Sequence, residues 1–303
     1  MTTFFLKIFS FLIIIAAGYL LKRKGLLKAQ DSVAVSRLMI YVTLPAALIS
    51  GFRNFQLDAK FLLLIPLAVA CNFITIALGL FLTQGKEFRD RALYVLQLSG
   101  YSVGTFVLPF IQSFMPAAGL AGTVLFDVGN CPMNCGATYG ILMAATSGKK
   151  FSPGPVFREL RRSPPFFAYI LMLVLSLLHI RLPDAAFDLA ANIGAANTFL
   201  AMLMIGLLVE FHVPREHRAL VARVLLLRYG CNGLMSAVIW LLPLPLLLRQ
   251  VAVLSLLSPI PALALIYSRK CRCDEAVCGL LSSVSLIISV PVVVFLIFFW
   301  GLY

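Results

Sequence analysis

The chain has 303 residues, of which 61% are hydrophobic and only 12% are charged, and its mean hydropathy is +0.98. A soluble domain of this length does not carry such a composition, so the sequence predicts a polytopic membrane protein embedded in a lipid bilayer. The formal net charge of +13 falls mainly in short segments between apolar stretches, where it sets membrane orientation. It therefore indicates no nucleic-acid partner.

Ten apolar stretches can cross the membrane, taking about 20 residues as the length of one span. The predicted spans are residues 3–21, 37–52, 61–83, 92–113, 119–145, 164–180, 190–210, 222–244, 250–268 and 276–300. We interpret the first stretch as a membrane helix and not as a cleaved secretory signal, because its positive cluster follows the apolar run instead of preceding it.

Basic residues accumulate in every second segment between the spans, as the positive-inside rule requires. These segments contain Lys22, Arg23, Lys24 and Lys28; Lys86, Arg89 and Arg91; Lys149, Lys150, Arg158, Arg161 and Arg162; Arg215 and Arg218; and Arg269, Lys270 and Arg272. Arg223 and Arg228 continue the fourth basic segment into span 8, whereas the intervening segments contain only Arg53, Lys60, Arg181 and Arg249. The pattern predicts a multi-pass protein of the cell (cytoplasmic) membrane with both termini outside the cytoplasm.

The long basic segment in the middle of the chain divides the ten spans into five and five. Because five is odd, a second copy of the first half would insert upside down, which is the inverted-repeat architecture of many secondary transporters. We therefore predict an all-α fold with a first five-helix repeat at 1–148, a cytoplasmic linker at 149–163 and an inverted repeat at 164–303. Residues 43–48 in span 2 (TLPAAL) also resemble residues 197–202 in span 7 (NTFLAM).

Spans 4 and 9 each contain residues that a helix interior disfavours. Span 4 is interrupted by residues 100–104 (GYSVG), with Pro109 beyond them, and span 9 by residues 258–261 (SPIP). Proline removes a backbone donor and glycine adds backbone freedom, so both spans are predicted to unwind. Unwound backbone at membrane depth is tolerated only inside protein or beside a wet cavity. A matched pair of broken spans therefore predicts a transporter's substrate site.

Neutral polar groups surround the two predicted breaks. The candidate substrate-binding residues are Ser99, Gly100, Tyr101, Ser102, Gly104 and Thr105 in span 4, and Ser258, Pro259 and Pro261 in span 9, with Ser255 nearby. The positive ends of half-helices can hold a carboxylate without a buried Arg or Lys, which fits a chain whose central membrane depth is almost free of basic residues. Alternatively, the hydroxyl groups bond back to their own helices.

Span 5 carries the acidic residue that lies most clearly within a span. Asp127, Asn130 and Asn134 recur at helical spacing with Thr138, so this polar face should point into the protein. Pro132 frees a carbonyl group one turn earlier. Asp127, Asn130 and Asn134 are therefore candidates for coupling to H⁺ or Na⁺. The alternative is a structural Asp127, and Asn72 and Asn232 are interpreted as helix-packing amides.

Other titratable groups do not indicate an enzyme. Cys271, Cys273 and Cys278 lack the paired spacing of a structural zinc site, and no His-Glu-x-x-His motif occurs. The Gly-x-Ser-x-Gly spacing of residues 100–104 falls inside an apolar span and not in the strand-to-helix elbow of a hydrolase. We predict no catalytic residue, no metal site and no cofactor other than the coupling ion. Glu210, beside His212 and His217, is interpreted as part of an interfacial loop, with a gate or pH sensor as the alternative.

The chain resembles the auxin efflux carrier family, which includes plant auxin exporters and bacterial malate and malonate permeases. The resemblance rests on the ten-span layout and on Leu44-Pro45-Ala46, the Gly104 to Pro109 stretch, Asp127 with Asn130, Ile205-Gly206 and Ser289-Val290-Pro291. The short central segment is similar to that of the bacterial permeases. The chain departs from the family at Gly100-Tyr101-Ser102, where many relatives place an asparagine, and at Phe199, where proline is common.

The resemblance implies two inverted five-helix repeats whose broken helices 4 and 9 cross at mid-membrane, where a small organic anion such as a dicarboxylate or an auxin-like acid binds. It also implies a scaffold of spans 1, 2, 6 and 7, a substrate-bearing bundle of the other spans, and compatibility with a homodimer through spans 2 and 7. We therefore predict a secondary transporter that works by alternating access. The alternatives are a sodium-coupled carrier similar to the bile-acid symporters and a channel or receptor of the same fold.

Overall fold

The computed structural model describes residues 2–53, 58–148, 150–178, 180–210 and 214–302, and within these ranges the regular structure is entirely helical. The α-helices are α1 (Thr2–Arg23), α2 (Ser32–Leu38), α3 (Leu44–Gly51), α4 (Leu64–Leu82), α5 (Phe88–Leu98), α6 (Leu108–Phe114), α7 (Ala117–Pro132), α8 (Thr138–Ser147), α9 (Gly154–Leu160), α10 (Pro164–Leu177), α11 (Asp184–Leu208), α12 (Arg215–Leu241), α13 (Leu246–Leu256), α14 (Ala262–Lys270) and α15 (Glu275–Phe299). Other helical segments lead directly into the α-helices that follow them: 3-10 turns at Ala29–Asp31 and Ala59–Leu63, and π-helical turns at Met39–Thr43, Val103–Val107 and Met133–Ala137.

Six helices in the described part of the chain are long and apolar enough to cross a membrane. They occupy Phe5–Arg23, Ala29–Gly51, Ala59–Leu82, Asp184–Leu208, Arg215–Leu241 and Glu275–Phe299. Two bent pairs raise the number to as many as eight: Phe88–Leu98 with Val103–Phe114, bent by 41°, and Gly154–Leu160 with Pro164–Leu177, bent by 81°. The structure confirms an all-α, multi-pass class, whereas the count of ten spans and the inverted repeat stay predictions.

Spans 4 and 9 are both interrupted where the sequence predicts. Helix α5 ends at Leu98 and helical structure resumes at Val103, while α13 ends at Leu256 and α14 begins at Ala262. Pro109 does not cause the first break. It lies in the first turn of α6, where proline is tolerated. Each of the two predicted spans thus consists of two half-helices joined by non-helical backbone.

The helices pack in two groups. In the first, α11 lies along α1 and α3, and α3 also contacts α10. In the second, α4 packs on α5 and α7, while α12 and α13 pack on each other and α12 also contacts α5 and α15. Helix α7 touches both α3 and α10, and so connects the groups. The first group matches the scaffold that the family resemblance implies, and the second contains both broken spans.

The two similar segments in spans 2 and 7 meet inside the first group. The hydroxyl of Thr43 donates a hydrogen bond of 3.1 Å to Oδ1 of Asn197, and both side chains are buried. Thr43 and Asn197 are the first residues of the two segments that resemble each other. Contact between equivalent positions is what a two-fold relation between the halves would produce, so it supports the predicted repeat.

The predicted linker at 149–163 is not extended throughout. Residues Gly154–Leu160 form α9, which starts with a proline at an early helical position and buries Val156 and Leu160. Helix α9 contacts α7 and the π-helical turn that follows α7. The segment therefore packs against the second helix group instead of only joining the halves.

Close packing of α1 on α11 generates a first prediction. A Cβ atom at Gly206 would collide with the Ile15 carbonyl oxygen and lie 2.9 Å from the backbone nitrogen of Tyr19. We expect Gly206→Ala to destabilise the protein by about 1–3 kcal/mol, since overpacking must be relieved by backbone movement. The control is Gly279→Ala in α15, where nothing lies within 4 Å. Thermal unfolding in detergent should show a lower midpoint for Gly206→Ala only, and equal midpoints would contradict the close helix contact.

Candidate functional site

The two broken segments touch each other in the second helix group. The backbone N–H of Ser102 donates to Oγ of Ser258 at 3.1 Å and to the carbonyl oxygen of Pro259 at 3.3 Å. Ser258 and Pro259 are buried, whereas Ser102 is half-buried. The predicted breaks are therefore brought together into one crossing, which we define as residues 99–105 and 257–261.

Gly100 has a backbone conformation that its lack of a side chain allows. Its φ is +78°, in the left-handed region. A Cβ atom at this position would collide with Oδ1 of Asn134 and lie 3.0 Å from Cγ of Pro261. Glycine thus permits both the turn at the end of α5 and the close approach of span 9 and of the π-helical turn that follows α7.

Side-chain amides from α4 and from the α7–α8 span satisfy the unwound backbone of span 4. Oδ1 of Asn72 accepts from the N–H of Gly100 at 2.9 Å. Asn130 forms a pair of bonds to Tyr101, accepting from its N–H at 3.2 Å and donating to its carbonyl oxygen at 2.9 Å. Asn134 donates to the same carbonyl at 3.0 Å. Asn72 is therefore not only the packing amide that the sequence predicted, because it also holds the break.

Asp127 lies beside this network, where the two helix groups meet. Its Oδ1 accepts from Nδ2 of Asn130 at 2.8 Å, and its Oδ2 accepts from the hydroxyl of Tyr169 in α10 at 2.7 Å. Gly104 is close enough that an added Cβ atom would lie 3.3 Å from Oδ2 of Asp127. Among the described residues Asp127 makes no salt bridge, so two neutral donors hold a buried carboxyl group. The sequence did not predict the role of Tyr169.

Arg228 in α12 corrects one expectation. The sequence predicted a central depth almost free of basic residues, with a ligand held without a buried Arg, but Arg228 is fully buried against the crossing. Its guanidinium donates to carbonyl oxygens at the end of α5 and in both breaks, and its central carbon lies 5.8 Å from the centroid of the Tyr101 ring. The sequence feature that could have revealed this buried arginine is its position deep inside α12, because a cation there cannot face lipid.

Two serines of α15 hold the second break. Oγ of Ser285 accepts from the N–H of Ile260 at 3.1 Å, and Oγ of Ser289 donates to the carbonyl oxygen of Leu257 at 2.8 Å. The hydroxyl of Tyr229 lies 2.8 Å from both the carbonyl oxygen of Ser285 and Oγ of Ser289. The roles of Ser285, Ser289 and Tyr229 could not be predicted from the sequence, because a hydroxyl group in an apolar helix does not indicate which distant residues it bonds.

The other predicted hydroxyl groups divide into two kinds. Ser99 and Ser255 bond back to carbonyl oxygens one turn earlier, at 2.7 and 2.8 Å, so for them the alternative interpretation holds. Ser102 and Thr105 instead lie 3.0 Å apart through their hydroxyl oxygens and are both half-buried. The side chain of Tyr101 is buried and reaches Oδ1 of Asn232 at 3.4 Å. The accessible hydroxyl groups at the crossing are thus those of Ser102 and Thr105.

The remaining candidates lie away from the crossing. Glu210 forms an ion pair of 3.4 Å with Lys22, which suits an interfacial contact, while His179 and His212 lie outside the described residues. Burial raises the pKa of the Cys271 thiol to about 11, so this thiol is protonated at neutral pH. In the described ranges, the His, Cys, Asp and Glu side chains form no group of three able to hold a metal ion.

Long apolar helices, broken spans and a polar crossing define a multi-pass membrane protein of the transporter class. The profile of the membrane transport protein family matches residues 3–297, nearly the whole chain, so the protein belongs to that family, and the resemblance to the auxin efflux carriers is confirmed. The chain is also similar to an uncharacterized transporter from Methanothermobacter thermautotrophicus, with 26% identity over 243 residues that cover 76% of each protein.

The geometry of Gly100 generates a second prediction. Gly100→Ala should strain the left-handed backbone by about 1–2 kcal/mol and add a collision with Asn134. Gly85→Ala is the matched control, because Gly85 has φ +75° but nothing within 4 Å of an added Cβ atom. We expect both variants to lower the unfolding midpoint in detergent, Gly100→Ala by clearly more. Equal losses would show that only the backbone conformation matters, and that the crossing tolerates a side chain.

Proposed function

We propose that the protein is a secondary carrier for a small organic anion, which binds at the crossing. The observation that carries the proposal is the arrangement of helix ends there. Helix α5 and helix α13 reach the crossing with their C-terminal carbonyl groups, while the helical structure from Val103 and from Ala262 begins at it. The first amides of a helix have no partner within that helix and carry partial positive charge, which attracts a carboxylate.

The opposing negative helix ends are neutralised. Arg228 donates hydrogen bonds to the last carbonyl groups of α5, including that of Leu98 at 2.9 Å, and to carbonyl groups in the breaks just beyond α5 and α13, such as that of Gly100 at 2.7 Å. The C-terminal partial charges are thereby offset by a full positive charge, whereas the Asp127 carboxyl group beside Gly104 offsets the N-terminal end at Val103 only when it is deprotonated. The electrostatic balance at the crossing favours an anion over a cation or a neutral ligand.

Accessible polar groups at the crossing suit a small oxygen-rich ligand. Ser102, Thr105 and Asn134 are half-buried, while their neighbours Tyr101 and Gly104 are buried. Hydroxyl and amide groups donate hydrogen bonds to carboxylate oxygens, and the same groups accept from ligand hydroxyls. This set supports a substrate such as a dicarboxylate or an auxin-like acid.

The two helix groups supply the moving parts of alternating access. The crossing lies wholly in the group of α4 to α8 and α12 to α15, and the scaffold consists of α1 to α3, α10 and α11. We propose that the second helix group, which contains the crossing, moves against this scaffold in the cell membrane, with both chain termini outside the cytoplasm. The hydrogen bond from Tyr169 to Asp127 joins the groups, so this movement would break and remake it.

Uptake into proteoliposomes tests the carrier directly. We expect saturable uptake of at least one acid from a labelled panel of malate, malonate and indole acetate, stimulated by an imposed proton gradient. Slow, saturable turnover distinguishes a carrier from a channel of the same fold, in which flux rises without saturation. Absence of uptake for every acid under both proton and sodium gradients would overturn the proposal.

Asp127 is proposed to carry the coupled proton. Asp127→Asn should retain uptake down a substrate gradient but lose stimulation by the proton gradient, because the amide keeps the side chain's size and cannot be deprotonated. Tyr169→Phe is the control. It removes one hydrogen bond to the carboxyl group and leaves the titrating group in place, so gradient stimulation should persist. Unchanged gradient dependence in Asp127→Asn would assign Asp127 a structural role.

A further inference from the structure

The guanidinium of Arg228 lies in a cage of backbone carbonyl oxygens. Six carbonyl groups accept from its two terminal nitrogens: Gln97, Leu98, Ser99 and Gly100 at 2.7–3.4 Å from span 4, and Ser258 and Pro259 at 3.3 Å from span 9. The side chain is fully buried, and its Nε has no hydrogen-bond partner. Both breaks thus contribute to the surroundings of one cation.

This cage has the chemistry of a site for a small monovalent cation. Carbonyl oxygens from unwound backbone and from half-helix C-terminal ends are the groups with which broken transporter helices coordinate Na⁺. Each helix end carries a partial negative charge, so the end of α5 and the end of α13 together offset about one positive charge. In the described part of the chain, none of the hydrogen bonds of Arg228 goes to a carboxylate. The helix ends are therefore its counter-charge.

We propose that Arg228 is a tethered cation that permanently fills this carbonyl cage, in the place that a free Na⁺ ion would otherwise take. Arg228 is a positioning residue, because it holds the two breaks in contact and its donors point at carbonyl groups and not at the accessible side of the crossing. The consequence for transport rests on the proposed function: binding of the organic anion needs no Na⁺ at the crossing, since the positive charge is built into α12.

Arg228 acts in this cage through its positive charge and not only as a hydrogen-bond donor. A neutral donor could also satisfy carbonyl groups, but it would leave the negative ends of α5 and α13 without a counter-charge. A substrate-binding arginine would expose at least one edge of the guanidinium, whereas Arg228 is 0% exposed. Charge, and not only hydrogen bonding, is thus the property that an experiment has to isolate.

Arg228→Ala opens the cage, and the missing group can be added back as ethylguanidinium. We expect the variant to unfold at a lower temperature than the wild type, and ethylguanidinium at ten times its dissociation constant to raise the midpoint by about 2–4 °C. Ethylurea, the neutral molecule of the same shape, should raise it far less. The wild type should respond to neither molecule, because its cage is occupied. A variant as stable as the wild type, or one that ethylguanidinium does not stabilise, would overturn the proposal.

Two further variants keep the test decisive if Arg228→Ala does not fold. Arg228→Lys retains the charge and Arg228→Gln retains only a neutral donor. The lysine variant should therefore have the higher unfolding midpoint, and equal or reversed midpoints would refute the tethered cation.

A comparison of salts tests the same proposal in the wild type. NaCl and choline chloride should give the same unfolding midpoint, and a Na⁺-specific rise of the midpoint that persists in Asp127→Asn would contradict the proposal. None of these measurements uses a substrate, so their failure is distinguishable from failure to transport an acid.

Discussion

Unwound backbone inside a membrane protein must have every amide and carbonyl group satisfied, and the structure depends on how this is done at the crossing. An unsatisfied group in hydrocarbon costs several kcal/mol, whereas water compensates it at a surface. Here the amide groups of Gly100 and Tyr101 are satisfied by side-chain amides of Asn72 and Asn130. The carbonyl groups at the end of α5 and in the breaks that follow α5 and α13 are satisfied by Arg228. Removal of any of these groups would expose polar backbone to an apolar interior.

Neutral and charged side chains thus bond different groups of the backbone at the crossing. Neutral side chains bond the amide groups of the breaks and the carbonyl group of Tyr101, and the guanidinium of Arg228 bonds the carbonyl groups on either side of them. The polar groups left accessible are therefore those of Ser102, Thr105 and Asn134, which suit a ligand with oxygen atoms. A site that binds its ligand and releases it on either side of the membrane needs such neutral contacts, because a direct guanidinium–carboxylate pair holds more strongly.

Local signals could be predicted from the sequence, and distant partners could not. The breaks were visible because glycine and proline act on the backbone of their own segment, and Asp127 was visible because a carboxyl group within an apolar span is rare. Arg228 was interpreted as one more basic residue of a cytoplasmic segment, since its partners lie more than a hundred positions away or in another span. Tyr169 was missed for the same reason, because its hydroxyl meets Asp127 only through contact between the helix groups.

Helix dipoles place partial charges at the crossing but add no net charge, so the two buried ionisable groups determine the net charge of the helix group that we propose to move. Arg228 contributes a positive charge that never leaves, and Asp127 contributes a negative charge only when it is deprotonated. An empty crossing is neutral with Asp127 deprotonated, and a crossing that holds a monoanion is neutral with Asp127 protonated. The other two combinations carry a net charge through the low-dielectric interior, which is costly. Under the proposed function, movement between the two sides is therefore favoured when anion and proton travel together or when both are absent, which is the condition for proton-coupled symport.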